Sequence, residues 1–275
     1  MSRLGIEGVS VLGLPPVRFI ELAAQLGAPN ISLGPKPMDY NPHGYPRYSL
    51  FEDAALRREI KAALAANGVA VSLGENLAVM AGDEGTDAWQ ASLDLMSEFG
   101  VTRFNSVSFE SDLARNVDRY GMLTELAASY GVRVLIEFVP IFPLADLPTA
   151  LEIIRRVGRP ELGWIADTMH LARTGVAPEA LREIPPDSIG YIQLCDVPLE
   201  SSLAYMDEAM HERMAPGDGE APLAAYLAAL PQDRIVSLEI PQRSRAEAGV
   251  AIGEALADCV AKARDLLAIV DAERG

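Results

Sequence analysis

The chain has 275 residues, 49% of them hydrophobic and 23% charged, a globular composition long enough for a sizeable core. A formal net charge of −16 argues against nucleic acid as a partner, because binding a phosphate backbone needs a basic face. The two cysteines, Cys195 and Cys259, lie in apolar stretches and make no disulfide framework, and no stretch approaches the roughly 18 apolar residues of a membrane span.

The start, Met1-Ser2-Arg3-Leu4-Gly5-Ile6, lacks the apolar run and cleavage pattern of a signal peptide, so the cytoplasm is the expected location. Residues 4–12 read as a first strand. Pro15-Pro16 opens a helix over 17–26 that Gly27 stops. A short strand covers 30–33. The segment 34–49 is a long irregular loop with four prolines, and its Tyr40, His43, Tyr45, Arg47 and Tyr48 are candidates for a lid over a polar ligand. A helix over 51–66 ends at Asn67-Gly68, and a third strand over 69–73 is followed by Gly74-Glu75-Asn76.

The alternation continues with a helix over 86–99, a strand over 101–109 and a helix over 113–130. A fifth strand, 132–139, carries Glu137. Asp146 is a plausible N-cap for a helix over 146–157, with Pro148 in its first turn. A sixth strand, 161–167, ends on Asp167, and a short helix covers 178–183. The seventh strand, 189–195, precedes a loop over 196–222. Then come a helix over 223–230, an eighth strand over 234–240 and a final helix over 246–270.

Strands alternating with helices imply a parallel sheet, and eight such units with no linker or composition break imply a single (β/α)8 TIM barrel over residues 1–275. An open dinucleotide-binding sheet is the weaker alternative, since Gly8-Val9-Ser10-Val11-Leu12-Gly13 does not supply the GxGxxG turn. In such barrels the active site lies at the C-terminal ends of the strands.

Four successive strands carry an oxygen donor at or near that end: Glu137, Asp167, Gln193 and Glu239. A buried carboxylate is costly unless paired, and three converging on one point would repel one another. A divalent cation resolves both problems, and an all-oxygen donor set suits Mg2+ or Mn2+. Each residue has a plainer role by itself. A glutamate ending a strand can pair on the surface, Asp167 can cap a helix, and Gln193 can be a satisfied barrel residue. His170, three residues after Asp167, is placed as a substrate contact. Arg213, ahead of Pro216-Gly217-Asp218-Gly219, is placed as a clamp on a substrate oxygen or carboxylate. His43 and His211 lie in loops. Glu75, Glu110 and Asp196 also lie near strand ends without a role being assigned to them.

These residues carry a resemblance. Ile136-Glu137, Asp167-Thr168-Met169-His170, Ile192-Gln193-Leu194-Cys195-Asp196, Arg213-x-x-Pro216-Gly217-x-Gly219 and Ser237-Leu238-Glu239 resemble the xylose isomerase-like TIM-barrel superfamily, in its sugar phosphate isomerase/epimerase branch. The resemblance implies one divalent ion, Mn2+ or Mg2+ before Co2+ or Zn2+, held by Glu137, Asp167, Gln193 and Glu239. It also implies that Glu137 and Glu239 move the proton while His170 contacts substrate. The expected activity is isomerisation or epimerisation of a small polyhydroxylated carbonyl compound. Gln193 departs from the histidine many members carry on strand seven. Together with Asp196, Pro198 and the Arg-x-x-Pro-Gly run, it also looks like the 3-dehydroshikimate dehydratases of this fold, which makes a metal-dependent lyase the rival expectation. DNA repair enzymes of the superfamily rely on a histidine-rich zinc cluster and a basic face, neither of which three histidines and −16 provide. A non-catalytic ligand-binding barrel is a further alternative. Homo-oligomers are common in the family, so self-association is an expectation from the resemblance alone.

Overall fold

The computed structural model describes residues 3–82 and 86–273. Met1 and Ser2 of the N-terminal stretch lie outside them. Eight parallel strands pair in chain order and close β8 onto β1. They are β1 (Leu4–Ile6), β2 (Asn30–Leu33), β3 (Ala70–Val79), β4 (Arg103–Ser108), β5 (Arg133–Ile136), β6 (Leu162–Asp167), β7 (Ile189–Leu194) and β8 (Val236–Leu238). The helices are α1 (Pro16–Gln25), α2 (Ala54–Asn67), α3 (Thr86–Ser97), α4 (Leu113–Ser129), α5 (Leu147–Val157), α6 (Thr168–Arg173), α7 (Pro178–Leu181), α8 (Tyr205–His211), α9 (Leu223–Ala229), α10 (Arg243–Glu247) and α11 (Ile252–Ala272). This is the expected (β/α)8 TIM barrel. No helix among the described residues is long and apolar enough to cross a membrane.

Helix starts follow local chemistry. Asp53, Asp112 and Asp146 each accept from a backbone N–H three residues on, which satisfies donors that the first turn leaves unpaired. α2 and α5 stop on left-handed glycines, Gly68 and Gly158. The large core lies between the strands and the helices. A small second cluster, Leu73, Leu135, Ile165 and Tyr191, fills the barrel itself. Strand alternation then places Glu75, Glu137, Asp167 and Gln193, two residues beyond each of these, on the same inner face nearer the C-terminal rim.

Several elements differ from expectation. β1 ends at Ile6 rather than running to Leu12. Ser10 donates to Leu238 O and accepts from Ile240 N, and that pull turns 8–11 into a 3-10 turn. β3 runs to Val79, because a bulge between Gly74 and Leu77 keeps Glu75 and Asn76 within the strand, with Asn76 left-handed at φ 84°. The loop over 196–222 contains α8. The last helix divides into α10 and α11 around Gly249, at φ 81°. The tyrosines of 34–49 do not close over the barrel mouth as a lid. Tyr40 donates to Glu247 and packs on His211, and only Met38 of the loop lines the central cavity.

Candidate active site

Because α6 begins directly on the last residue of β6, Asp167 has two tasks. Its Oδ1 accepts from Met169 N (2.7 Å) and His170 N (3.2 Å), capping the helix. Its Oδ2 faces the barrel mouth, 2.8 Å from Arg213 Nη1 and 3.5 Å from His170 Nε2. The capping role and the site role are thus two oxygens of one carboxylate. Burial by itself would raise this carboxyl. The Arg213 charge, His170 and the donated N–H bonds outweigh it and hold Asp167 at about 2.

His170 turns Nε2 toward Glu137 Oε1 at 3.3 Å, and its Nδ1 meets the Tyr205 hydroxyl at 2.6 Å. Glu137 Oε2 in turn accepts from Asn105 Nδ2. Donor atoms of Glu137, Asp167 and His170 all lie within 4.8 Å of one another, and all three residues are buried. Gln193, paired with Asp167 across β6 and β7, has a buried Oε1 with no hydrogen-bond partner. A buried carbonyl oxygen normally finds a donor. Three clustered donors beside an orphaned amide oxygen fit a divalent cation, which would take oxygen and imidazole together.

Glu239 stands beside this cluster. Its Oε2 lies 3.3 Å from Arg213 Nη1. Burial pushes its carboxyl well above the ordinary range. Arg213 opposes that shift, while Asp167, Glu137 and Glu7 reinforce it. Arg213 is only 2% exposed and also donates from Nε to Ala209 O at 2.8 Å. Its guanidinium is therefore engaged by protein oxygens at the cavity wall. Asp196 anchors the following turn, accepting from Val197 N, Gly217 N and Ala221 N. Gly219 is required there, since a Cβ would lie 2.5 Å from Asp196 Oδ1. Glu110 serves α4, binding Asp112 N and Arg115.

A cavity of about 210 Å3 opens at this end of the barrel, lined by Glu137, His170, Gln193, Arg213 and Glu239 among others. Val139, Phe142, Met206 and Met210 supply an apolar rim. The six residues singled out from sequence therefore converge, with Asp167 just behind the wall. His170 Nε2 lies 3.3 Å from Glu137 and 3.5 Å from Asp167, and the residue also lines the cavity. Tyr205, Asn105 and Glu75 were missed as site residues. Tyr205 lies in a stretch that reads as loop, and Asn105 is neutral and mid-strand. Glu75 alone left a signal, a polar Gly-Glu-Asn run closing a strand.

Comparison with known proteins identifies the family. A curated relative, the 3-dehydroshikimate dehydratase of Pseudomonas putida, is 26% identical over 202 residues, covering 67% of this chain and 32% of that protein. The inosose isomerase of Bacillus subtilis is 29% identical over 130 residues, 46% of each chain. The chain thus matches about a third of the dehydratase and just under half of the isomerase. Among solved structures, the IOLI protein crystallised with a zinc atom superposes with a TM-score of 0.76 at 18% identity, covering 97% of both chains. The sequence pattern of the xylose isomerase-like TIM barrel matches residues 20–260, which takes in all the site residues described above. On that match and the closed barrel, this chain belongs to the xylose isomerase-like TIM-barrel family.

Proposed function

We propose that the protein is a divalent-metal-dependent isomerase or epimerase acting on a small polyhydroxylated carbonyl compound. The observation that carries this reading is the orphaned Gln193 Oε1 beside the buried Glu137, Asp167 and His170 donors. Those four residues would hold the ion, Mn2+ or Mg2+ in the first place, with Co2+ or Zn2+ also compatible with the imidazole. The chemistry a bound divalent cation supplies is Lewis-acid polarisation of the substrate carbonyl.

The chain's own groups would handle the protons. Glu137, kept in place by Asn105, takes the proton from the carbon next to the carbonyl, and the electron pair moves toward the carbonyl oxygen. Glu239, which burial favours in its protonated form, returns a proton to the substrate. Delivery to the opposite face of the same carbon gives epimerisation, and delivery to the former carbonyl carbon, with the hydroxyl proton of the first carbon passing to the former carbonyl oxygen, gives isomerisation. Tyr205, through its hydroxyl on Nδ1, orients the His170 ring so that Nε2 would face the ion.

A second reading, a dehydratase of the 3-dehydroshikimate type, is favoured by Gln193 and by the similarity to the Pseudomonas putida enzyme over 67% of this chain. It shares the first proton abstraction and then expels a β-hydroxyl. The experiment has two parts. Metal content by mass spectrometry, wild type beside Asp167→Ala and with Mn2+ titration, should show a near-stoichiometric ion that the variant loses. NMR in D2O of the Mn2+-loaded protein with ketoses, inososes, sugar phosphates and 3-dehydroshikimate should show exchange or inversion at the carbon beside the carbonyl. Loss of water from 3-dehydroshikimate alone would select the second reading. Absence of both metal binding and turnover would leave a ligand-binding barrel.

A further inference from the structure

Glu75 is not needed for the chemistry just described, yet it lines the same cavity. It follows Leu73, which fills the barrel interior, by two residues on β3 and so shares its inner face. The bulge between Gly74 and Leu77 adds Asn76 to the lining beside it, in the left-handed conformation that asparagine adopts more readily than most side chains. The carboxylate is aimed. Ser32 Oγ donates to Glu75 Oε1 and itself accepts from Gly8 N at 2.7 Å. Two adjacent polar side chains thus form a wall facing the residues of β5 to β8.

The rest of the lining matters equally. Among the described residues, Arg213 is the one Lys or Arg in that wall, and its guanidinium is already shared by Asp167, Glu239 and Ala209 O. Lys36 lines an adjoining cleft that shares Val9, Met38 and Glu75 with the cavity, and its own side is exposed. A phosphate or carboxylate on the substrate, away from the reacting carbonyl, would find no uncommitted Lys or Arg in the cavity lining itself and would lie near Glu75. Anion sites are ordinarily built from arginine forks or clustered N–H donors.

We propose that Glu75 is a further substrate-contacting residue, accepting a hydrogen bond from a substrate hydroxyl, and that it restricts the site to uncharged polyhydroxylated carbonyl compounds over phosphorylated or carboxylated ones. This rests on the proposed reading for the carbonyl chemistry, but the selectivity follows from the wall alone. Burial pushes the Glu75 carboxyl upward and the Glu137 charge adds to this, with the Ser32 bond opposing.

The test is calorimetric binding to the Mn2+-loaded full chain, with D-fructose and scyllo-inosose as neutral probes and fructose 6-phosphate and 3-dehydroshikimate as anionic ones, in wild type and Glu75→Gln. The wild type should prefer a neutral probe by about tenfold or more, and Glu75→Gln should weaken that probe and narrow the gap. Thermal midpoints confirm that the variant folds. Tighter binding of either anionic probe, failure of every neutral probe to bind, or an unchanged preference in Glu75→Gln overturns the proposal. Turnover is read separately. Neutral-selective binding without turnover leaves this inference standing and removes the isomerase reading, whereas isomerisation or epimerisation of fructose 6-phosphate overturns this inference and keeps the isomerase reading.

Discussion

Arg213 Nη1 lies 2.8 Å from Asp167 Oδ2, and both side chains are almost completely buried. The same nitrogen reaches Glu239 Oε2 at 3.3 Å. One guanidinium therefore offsets two carboxylates at the end of the barrel, and the pairing is structural before it is catalytic. Breaking a buried pair from one side leaves an uncompensated charge. Arg213→Met should cost about 3–5 kcal/mol of stability by chemical denaturation. A variant as stable as the wild type would show that the carboxylates do not depend on this partner.

Glu239 is the proposed proton donor and sits at the edge of the donor cluster rather than in it. Glu239→Gln keeps shape and the contact to Arg213 but cannot release or accept the proton. Turnover should fall by at least about a hundredfold while the fold and the metal content are retained. An active variant would move the acid role to another group.

Legibility differed between scaffold and site for physical reasons. The barrel was readable because most strands contain a short apolar run and the flanking helices are punctuated by a glycine or a capping aspartate, as at Gly68, Asp112, Asp146 and Gly158. The carboxylates of β5, β6 and β8 were readable because a charge ending a buried run needs a partner. What pattern could not convey was which oxygen does what. Asp167 splits its two oxygens between helix cap and cavity, and nothing in Ala166-Asp167-Thr168 announces it. The position of His170 depends on α6 starting without a loop, so that one helical turn brings its ring back to Glu137. Arg213 lies 46 residues from Asp167, a long-range pairing that no local spacing encodes. Glu75 was obscured because the bulge after Gly74 makes a strand look like a loop.

Tyr205 is the residue whose removal should separate orientation from chemistry. Its hydroxyl meets His170 Nδ1 at 2.6 Å, which fixes how Nε2 is presented to Glu137 and Asp167. Partners behind a metal-binding imidazole set its tautomer and ring angle. Tyr205→Phe should weaken Mn2+ binding by about 10- to 100-fold with little change in thermal midpoint. Unaltered Mn2+ affinity would place His170 with the substrate instead of the ion.

Beneath the cavity, Glu7 is 1% exposed and lies among Ser32, Tyr191 and Ser237. Burial, and then the neighbouring charge of Glu75, push its carboxyl from 4.5 up to about 8. The sign follows from proton counting. Between about 4.5 and 8 the folded chain keeps this proton while the unfolded chain has released it. The stabilisation that protonated Glu7 contributes is complete below the lower value and is lost as pH rises through the upper one. The slope approaches about 1.4 kcal/mol per pH unit within that window. Glu7→Gln carries a permanently neutral amide of the same shape and should remove this slope. Urea midpoints at pH 5, 7 and 9 should therefore show the variant gaining on the wild type as pH rises, with the largest difference at pH 9. Parallel profiles for the two proteins would mean that Glu7 is already ionised in the folded barrel, held by its hydroxyl neighbours.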